Sequence, residues 1–490
     1  MTPLEYAGYT MSAGDLIPLL PLLAVTASSI WVMMAIGVKR NYPFILGSTV
    51  GGLLIAGLLA MNLLPGPAPD SMPLLTMDPY AQFFTVLICA LAIGVSLVGH
   101  NYWAEFDDQR EEFLLLLLLA TLGAVVLAGA NHFASLLLGL ETLSMSLYGM
   151  LAYPVQSERA PNGHALESAV KYLILSAVST AMILFGVALV YAETGSLSFA
   201  GLEGLPAGPG IGISVVALLL ISAGVAFKLS LFPFHIWTPD VYQGAPAPAT
   251  AYLATIGKIA VFIVLLRVVV ETRTLGIAPV AVVFSLLALL SIVAGNLLAL
   301  LQDNLKRILA YSSIAHMGYL LIAIIAAFYA EGPISVEAVS FYLFAYVIMT
   351  LGAFGVVSLL SSDAQERDSI SDYQGMFWRR PWLAAAFTGM LLSLAGIPLT
   401  AGFIGKFYLV LAGVESGLWL LLAALVVGSG IGLYYYLRIV YRMLLPEPAD
   451  APELREGNAA FSVVLVLFML LVLFGVYPAS LMSLIQAIAL

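Results

Sequence analysis

Apolar runs of helical length, separated by short polar or proline- and glycine-bearing stretches, recur from one end of the 490-residue chain to the other. An α-helix rises 1.5 Å per residue, so about 20 residues cross a hydrocarbon core ~30 Å thick. That ruler divides the chain into fourteen segments, at roughly 15–37, 43–64, 79–99, 112–130, 132–153, 167–192, 211–247, 248–268, 277–301, 305–329, 335–361, 381–415, 417–437 and 459–480. The first run, "DLIPLLPLLAVTASSIWVMMAIGV", has no basic stretch ahead of it and no small-residue cleavage site behind it. It is expected to be a retained helix rather than a signal peptide. No convincing strand is expected anywhere.

Two of these segments are too long. Residues 211–247 and 381–415 would each extend about 50 Å as straight helices. Neither can cross twice without moving the basic residues that follow to the opposite side of the membrane. Each is therefore expected to be broken, the first around Pro233 and Pro239 and the second around Pro398 in "LAGIPLTAGFIGK", since proline removes a backbone donor and clashes with the preceding turn. Irregular backbone at membrane depth persists only when buried in protein or beside water. The broken segments are the seventh and twelfth, and an offset of five spans inverts the second copy. The pattern predicts an all-α polytopic membrane protein of about 14 transmembrane helices, with two inverted five-helix repeats (helices 4–8 and 9–13) and broken helices 7 and 12. The units expected are an N-terminal three-helix segment at 1–110, a first repeat at 111–270, an inverted second repeat at 271–445 and a last helix within 446–490. Residue identity between the halves is weak, so the symmetry rests on topology and break position.

Composition agrees: 62% of residues are hydrophobic and 9% charged, and the mean hydropathy is +1.03, which excludes a soluble domain. With the N-terminus outside, Lys39, Arg40, Arg110, Arg159, Lys306, Arg307, Arg367, Arg379, Arg380, Arg438, Arg442 and Arg455 fall on the inner side and Arg267 and Arg273 on the outer. That is a clear positive-inside bias. The lone cysteine, Cys89, excludes a disulfide framework and thiolate-held clusters.

Four lysines remain, and all lie within apolar segments: Lys171, Lys228, Lys258 and Lys406. A cation at mid-membrane costs about 2.5 to 3.5 kcal/mol on insertion scales, so such residues need a compensating partner or a function. Glu141, in "LLLGLETLSMSLYGM", is the mid-span carboxylate and the natural partner for one of them; Asp240 follows the first break. Burial and a nearby carboxylate act oppositely on a lysine's proton, which suits Lys228 to carrying one. A lysine that only ties helices together or snorkels is the competing reading, most strongly for Lys171, a few residues inside its span. His235 and His316 can relay protons near neutral pH or rest satisfied in a polar pocket. His132 is expected near a helix end, with His100 and His164 in loops. No histidine spacing supports haem ligation, and no phosphate loop or dinucleotide fingerprint is present.

The stretches "FKLSLFPFHIWTPDVYQGAPAPATAYLATIGKIA", "DNLKRILAYSSIAHMGY" and "AGIPLTAGFIGKFYLV" resemble the proton-translocating antiporter-like membrane subunits of respiratory complex I. Within that group "TPDVYQGAPAP" is similar to subunit N of the NADH-quinone oxidoreductase, the counterpart of mitochondrial subunit 2. The resemblance covers helices 4–13. It implies that Glu141 is the fifth-helix glutamate, Lys228 the seventh-helix lysine paired with it, Lys258 the central eighth-helix lysine and Lys406 the twelfth-helix residue near the outward half-channel, with Lys171 and His316 as secondary members; His235 is a secondary candidate on its chemistry alone. It further implies no cofactor in this chain, with flavin, iron-sulfur clusters and quinone held by other subunits. The implied partners are other complex I membrane subunits, including the homologous subunit M and the lateral helix of subunit L, and the lipid bilayer, with no nucleic acid. The implied location is a bacterial inner membrane, both termini periplasmic. A multisubunit cation/proton antiporter subunit and a purely structural membrane subunit are the alternatives.

Overall fold

The computed structural model of the chain describes residues 4–6, 9–11, 13–66, 72–103, 110–153, 164–205, 212–272, 278–329, 334–361, 366–447 and 457–488. Arg159, Arg273 and Arg455, which entered the charge-bias argument, lie outside the described residues. Helices account for nearly all of it: α1 (Leu20–Val38), α2 (Tyr42–Leu63), α3 (Pro79–Tyr102), α4 (Glu111–Ala128), α5 (Phe133–Ala152), α6 (His164–Thr194), α7 (Gly212–Lys228), α8 (Trp237–Gly244), α9 (Ala247–Ala254), α10 (Ile256–Thr272), α11 (Ala278–Leu300), α12 (Leu305–Tyr329), α13 (Ile334–Leu360), α14 (Met376–Arg379), α15 (Pro381–Ala395), α16 (Ala401–Glu415), α17 (Trp419–Leu444), α18 (Asn458–Val476) and α19 (Ala479–Ile488). Twelve described spans are long and apolar enough to cross a membrane, α9 and α10 counting as one. The pairs α7/α8 and α15/α16 supply the seventh and twelfth crossings, so the protein is an all-α multi-pass membrane protein with fourteen crossings among the described residues. Contrary to the strand-free expectation, Leu4–Tyr6 (β1) and Tyr9–Met11 (β2) pair as a small antiparallel hairpin.

Both long segments break, and each does so through the same device. α7 ends in a Schellman turn: Ser230 adopts φ 60°, its N–H donates to Phe227 O at 2.9 Å, and Leu231 N–H donates to Ala226 O at 2.8 Å. α15 ends identically, with Gly396 at φ 90° and Ile397 N–H donating to Leu392 O at 3.0 Å. Glycine is the usual occupant of this left-handed position because a Cβ crowds the next carbonyl there; Ser230 takes it in the first copy for a reason that the site supplies. A third interruption, with no proline in it, falls at Thr255 (φ −109°, ψ −83°) between α9 and α10.

α12 and α13 are the best-enclosed helices, 94% and 89% buried across their apolar stretches, whereas α1 is 22% buried and presents its apolar surface outward. The N-terminal helices are fastened to the centre by a buried ion cluster. Arg267 of α10 is fully buried; it donates to both Asp78 oxygens at 2.8 and 2.9 Å and to Glu271 at 2.9 Å. Asp78 also caps α3, accepting from Ala81 N–H at 2.8 Å. Lys306 at the start of α12 is likewise fully buried, 3.0 Å from Glu366 and 2.7 Å from Ala245 O. The other Glu366 oxygen accepts from Ala247 N–H, at the N-terminus of α9, at 3.1 Å, where the helix dipole favours a carboxylate.

Removing one partner of a buried ion pair strands the other charge, at a cost of about 3–5 kcal/mol. Arg267→Ala is therefore expected to lower the thermal unfolding midpoint of the detergent-purified protein strongly. The paired change Arg267→Met with Asp78→Leu is expected to lower it much less, as neither charge is then left alone.

Candidate functional site

Lys228 is the last residue of α7, so its ammonium sits where a helix terminus presents unsatisfied carbonyls and partial negative charge. It is 6% exposed. Its Nζ donates to Ser144 Oγ of α5 at 2.9 Å and to Ser176 Oγ of α6 at 2.6 Å, and Tyr148 OH donates to the same Ser176 oxygen at 2.9 Å. Among the described ion pairs none joins Lys228 to Glu141, so the expected direct pairing is replaced by two serine hydroxyls. Glu141 lies one turn before Ser144 on α5 and accepts from Thr180 Oγ1 at 2.7 Å.

Lys258, on the first turn of α10, is fully buried. Its Nζ bonds to Ser230 Oγ, and Thr238 Oγ1 donates to the same hydroxyl at 2.6 Å. This explains the serine at the left-handed position: the turn needs glycine's conformation, and Lys258 needs an oxygen there. The Trp237 ring bridges the two lysines' surroundings, lying 5.4 Å from Lys258 Nζ while its Nε1 donates to Phe227 O, beside Lys228, at 3.2 Å. The interruption at Thr255 leaves Ala254 O, one turn from Lys258, free to accept from Tyr346 OH at 3.0 Å.

From Tyr346 a polar and aromatic series continues into the second half. Tyr346 OH shares a hydrogen bond with Ser313 Oγ at 2.7 Å, and its ring centre lies 5.8 Å from that of His316. His316 Nδ1 and Tyr342 OH are 2.6 Å apart, and the His316 ring meets Tyr319 edge-on at 5.5 Å. Tyr319 is in turn 5.2 Å beneath Lys406 Nζ. Lys406, 7% exposed, donates to Leu394 O at 3.0 Å, Ala395 O at 2.9 Å and Ser429 Oγ at 3.0 Å. Those two carbonyls are the free C-terminal ones of α15. An added Cβ at Gly396 would lie 2.9 Å from Lys406 Cδ, so that glycine provides both the turn and the room for the lysine to cross it.

The structure thus brings Lys228, Lys258, His316 and Lys406 into one connected interior series and leaves Lys171 out of it. Lys171 has a 43% exposed side chain, paired with Glu167 at 2.8 Å and Asp240 at 3.2 Å; Asp240 also holds Arg307 at 2.8 Å. His235 is buried within the first break, stacked on Phe232 at 5.0 Å, with no hydrogen-bond partner for Nδ1. His100 is in the last turn of α3, not a loop, stacked on Tyr42 at 5.4 Å, and His132 caps α5 by accepting from Ala134 N–H at 3.0 Å. Among the described residues no group of three or more His, Cys, Asp or Glu is placed to hold a metal.

Ser176, Ser230, Tyr346, Tyr342, Tyr319 and Ser429 escaped the sequence reading because serine and tyrosine are ordinary in apolar helices. Ser144 carried a readable signal, three residues after Glu141 and so on its face of α5.

The family of NADH:quinone oxidoreductase/Mrp antiporter transmembrane domains matches residues 130–432. Among solved structures, a chain of respiratory complex I from Thermus thermophilus, determined with bound aureothin, is 32% identical, with a TM-score of 0.82 over 95% of this chain and 99% of that one. A chain of the archaeal membrane-bound sulfane sulfur reductase is 25% identical, with a TM-score of 0.82 over 96% of both chains. A chain of the Mrp complex from Dietzia sp. is 19% identical and shares the fold, with a TM-score of 0.84 over 97% of both chains.

Left-handed backbone costs an alanine about 1–2 kcal/mol that glycine does not incur. Ser230→Gly is therefore expected to unfold at a higher temperature than Ser230→Ala, while both deprive Lys258 of its hydroxyl acceptor equally. Thermal unfolding of the two purified variants side by side checks this.

Proposed function

The chain belongs to the NADH:quinone oxidoreductase/Mrp antiporter transmembrane family, and from that membership we propose that it is the subunit N type of membrane-arm subunit of a proton-pumping NADH:quinone oxidoreductase. In this reading it translocates protons through Glu141, Lys228, Lys258 and Lys406, with His316 between the last two. Lys171 and His235 stand outside the main series, Lys171 at its exposed inner end. Quinone reduction in other subunits drives the movement, and flavin, iron-sulfur clusters and quinone are held there. The repeats at 111–270 and 271–445 then act as two oppositely oriented carriers, flanked by the segments 1–110 and 446–490, in a bacterial inner membrane with both termini on the periplasmic side.

One observation carries the reading: three buried lysines at membrane depth rest on neutral acceptors. Their bonds go to serine hydroxyls and helix-end carbonyls, and no described ion pair includes them. An ammonium without a fixed counter-charge can lose its proton without stranding a carboxylate, whereas one locked to a carboxylate cannot. Purely structural lysines gain nothing from that arrangement.

Glu141 supports a membrane partner. Its flanking neighbours on the same face of α5, Leu138 and Met145, are 65% and 64% exposed, which places the carboxylate at the rim of the chain. A carboxylate facing lipid tails at this depth is costly, so a neighbouring subunit with a polar or cationic group is the fitting cover. The homologous subunit M and the lateral helix of subunit L are the partners this reading names. The higher identity to the complex I chain than to the sulfur reductase and Mrp chains, together with "TPDVYQGAPAP" after Trp237, favours the quinone-reducing complex over a cation/proton antiporter.

Lys228→Ala and Glu141→Ala are expected to reduce proton pumping and the coupled quinone reductase rate, while NADH oxidation by artificial acceptors and assembly of the complex persist. Unchanged pumping in both variants defeats the proposal. Affinity purification of the tagged chain from its membranes separates the two complexes: NADH dehydrogenase subunits are expected in the eluate, and a sodium-dependent antiport complex lacking them assigns the chain to the antiporter class.

A further inference from the structure

Asn296 lies inside α11, one turn before the helix ends at Leu300, and is 1% exposed. Its amide is used in full. Nδ2 donates to Ile292 O at 2.8 Å and to Tyr319 OH of α12 at 2.9 Å, while Oδ1 accepts from Tyr435 OH of α17 at 3.2 Å. A backbone carbonyl can only accept, so the end of the amide beside Ile292 O is the nitrogen. The sense of both tyrosine bonds follows: Tyr435 donates, and Tyr319 accepts with its own hydroxyl hydrogen turned away from Asn296.

The backbone of α17 leaves room for this side chain. A Cβ on Gly428 would lie 2.8 Å from both Asn296 Nδ2 and Tyr319 OH, and one on Gly432 would lie 3.4 Å from Asn296 Oδ1 and from Tyr435 OH. Small residues a turn apart let neighbouring helices approach closely in a membrane interior. Here the space admits an amide and two phenols.

The position matters because Lys406 draws on the same two helices. Its Nζ lies 5.2 Å from the Tyr319 ring of α12 and donates to Ser429 Oγ of α17, the residue that follows Gly428. Asn296 thus joins the helices that carry the ring and the hydroxyl against which the ammonium rests, and no described hydrogen bond joins it to Lys406 itself. Packing alone does not ask for such a residue. The equivalent helices of the first repeat, α4 and α9, are joined by one hydroxyl pair, Thr121 Oγ1 and Tyr252 OH at 3.1 Å, from which no described side-chain bond runs on to α5.

We propose that Asn296 is a positioning residue for proton transfer at Lys406, acting through Tyr319, with Tyr435 holding the amide in place. The inference rests on the reading of Lys406 as a proton carrier and deepens it. Misplacement of a reacting group by an ångström costs as much as a hundredfold in rate, and Asn296 keeps the Tyr319 ring beneath Nζ while the lysine changes its hydrogen bonds.

The test uses the whole complex reconstituted in proteoliposomes. In Asn296→Leu the coupled quinone reductase kcat and the pumping rate are expected to fall about tenfold, equivalent to ~1.4 kcal/mol on the barrier, with KM for NADH and for quinone within about twofold of wild type. An unchanged kcat overturns the proposal. Tyr319→Phe keeps the ring, removes the oxygen that Asn296 holds and is expected to lose the same factor. The double variant is expected to be no slower than either single one. A residue that only packed helices would add its own loss, so a double variant slower by about a hundredfold overturns the proposal. Tyr435→Phe makes the same test without emptying the site, since it removes only the bond that Asn296 accepts. A loss of about threefold is expected, absent in the Tyr319→Phe background, and a wild-type rate overturns the proposal. Lys406→Ala that pumps like wild type overturns instead the reading of Lys406 as a carrier.

Discussion

A lysine ammonium held in the apolar interior must find hydrogen-bond acceptors, and a helix offers none along its length because its carbonyls are already used. Interruptions release them. Insertion of a cation costs about 2.5–3.5 kcal/mol, and a hydrogen bond to a charged group returns about 1.5–3 kcal/mol, so two or three neutral acceptors are enough to offset burial. Lys228 at the end of α7 and Lys406 on the open carbonyls of α15 meet that condition at an interruption, while Lys258, just past Thr255, has the hydroxyl of the α7 turn and the Trp237 ring. Breaks and lysines are therefore one feature of the fold.

The paired cations make the contrast. Arg267 with Asp78 and Glu271, Lys306 with Glu366, and Arg307 with Asp240 all sit near the ends of their helices. There they bind α10 to α3, α12 to the α8–α9 junction, and α12 to α8. A carboxylate partner fixes such a charge and with it the geometry. The reading of charges as packing devices fits these three clusters, whereas the central lysines make no described ion pair and bond instead to hydroxyls and helix-end carbonyls. The same chain uses ion pairs to hold the frame and neutral acceptors for its interior lysines, the arrangement that the proposed proton transfer needs.

Much of this was legible in the sequence. Fourteen apolar runs of bilayer length, with two too long to be straight, suffice for the crossings and for breaks 7 and 12, because bilayer thickness and proline chemistry act locally. The interruption at Thr255 was not legible: no proline or left-handed glycine marks it, and the carbonyl that it frees, Ala254 O, is taken by Tyr346 from a distant helix. The lysines themselves stood out against an apolar background. Their partners did not, since Ser144, Ser176 and Ser429 reach them from other helices, and long-range contacts leave no periodicity. The burial of Arg267 and Lys306 was not legible for a related reason: position near a helix end speaks to the side of the membrane but not to burial, which depends on Asp78 and Glu366 arriving from 189 and 60 residues away.

The two halves differ in where the lysine stands relative to its break, and this difference has mechanical content. Lys228 belongs to the helix that ends at the break, so it moves with α7, and its acceptors are on α5 and α6. Lys406 belongs to α16, beyond its break, and its acceptors are on α15 and α17. In both cases the donor and its acceptors ride on different rigid pieces. A shift of about an ångström between those pieces takes a 2.9 Å bond beyond useful range, so the hydrogen bonding of each lysine is tied to helix position rather than to a fixed counter-charge. Lys258 joins the two, bonded to a hydroxyl on the α7 turn while its own helix begins at a kink held by Tyr346 of α13. Displacement of either half is thereby felt at the middle lysine through Ser230 on one side and Ala254 on the other.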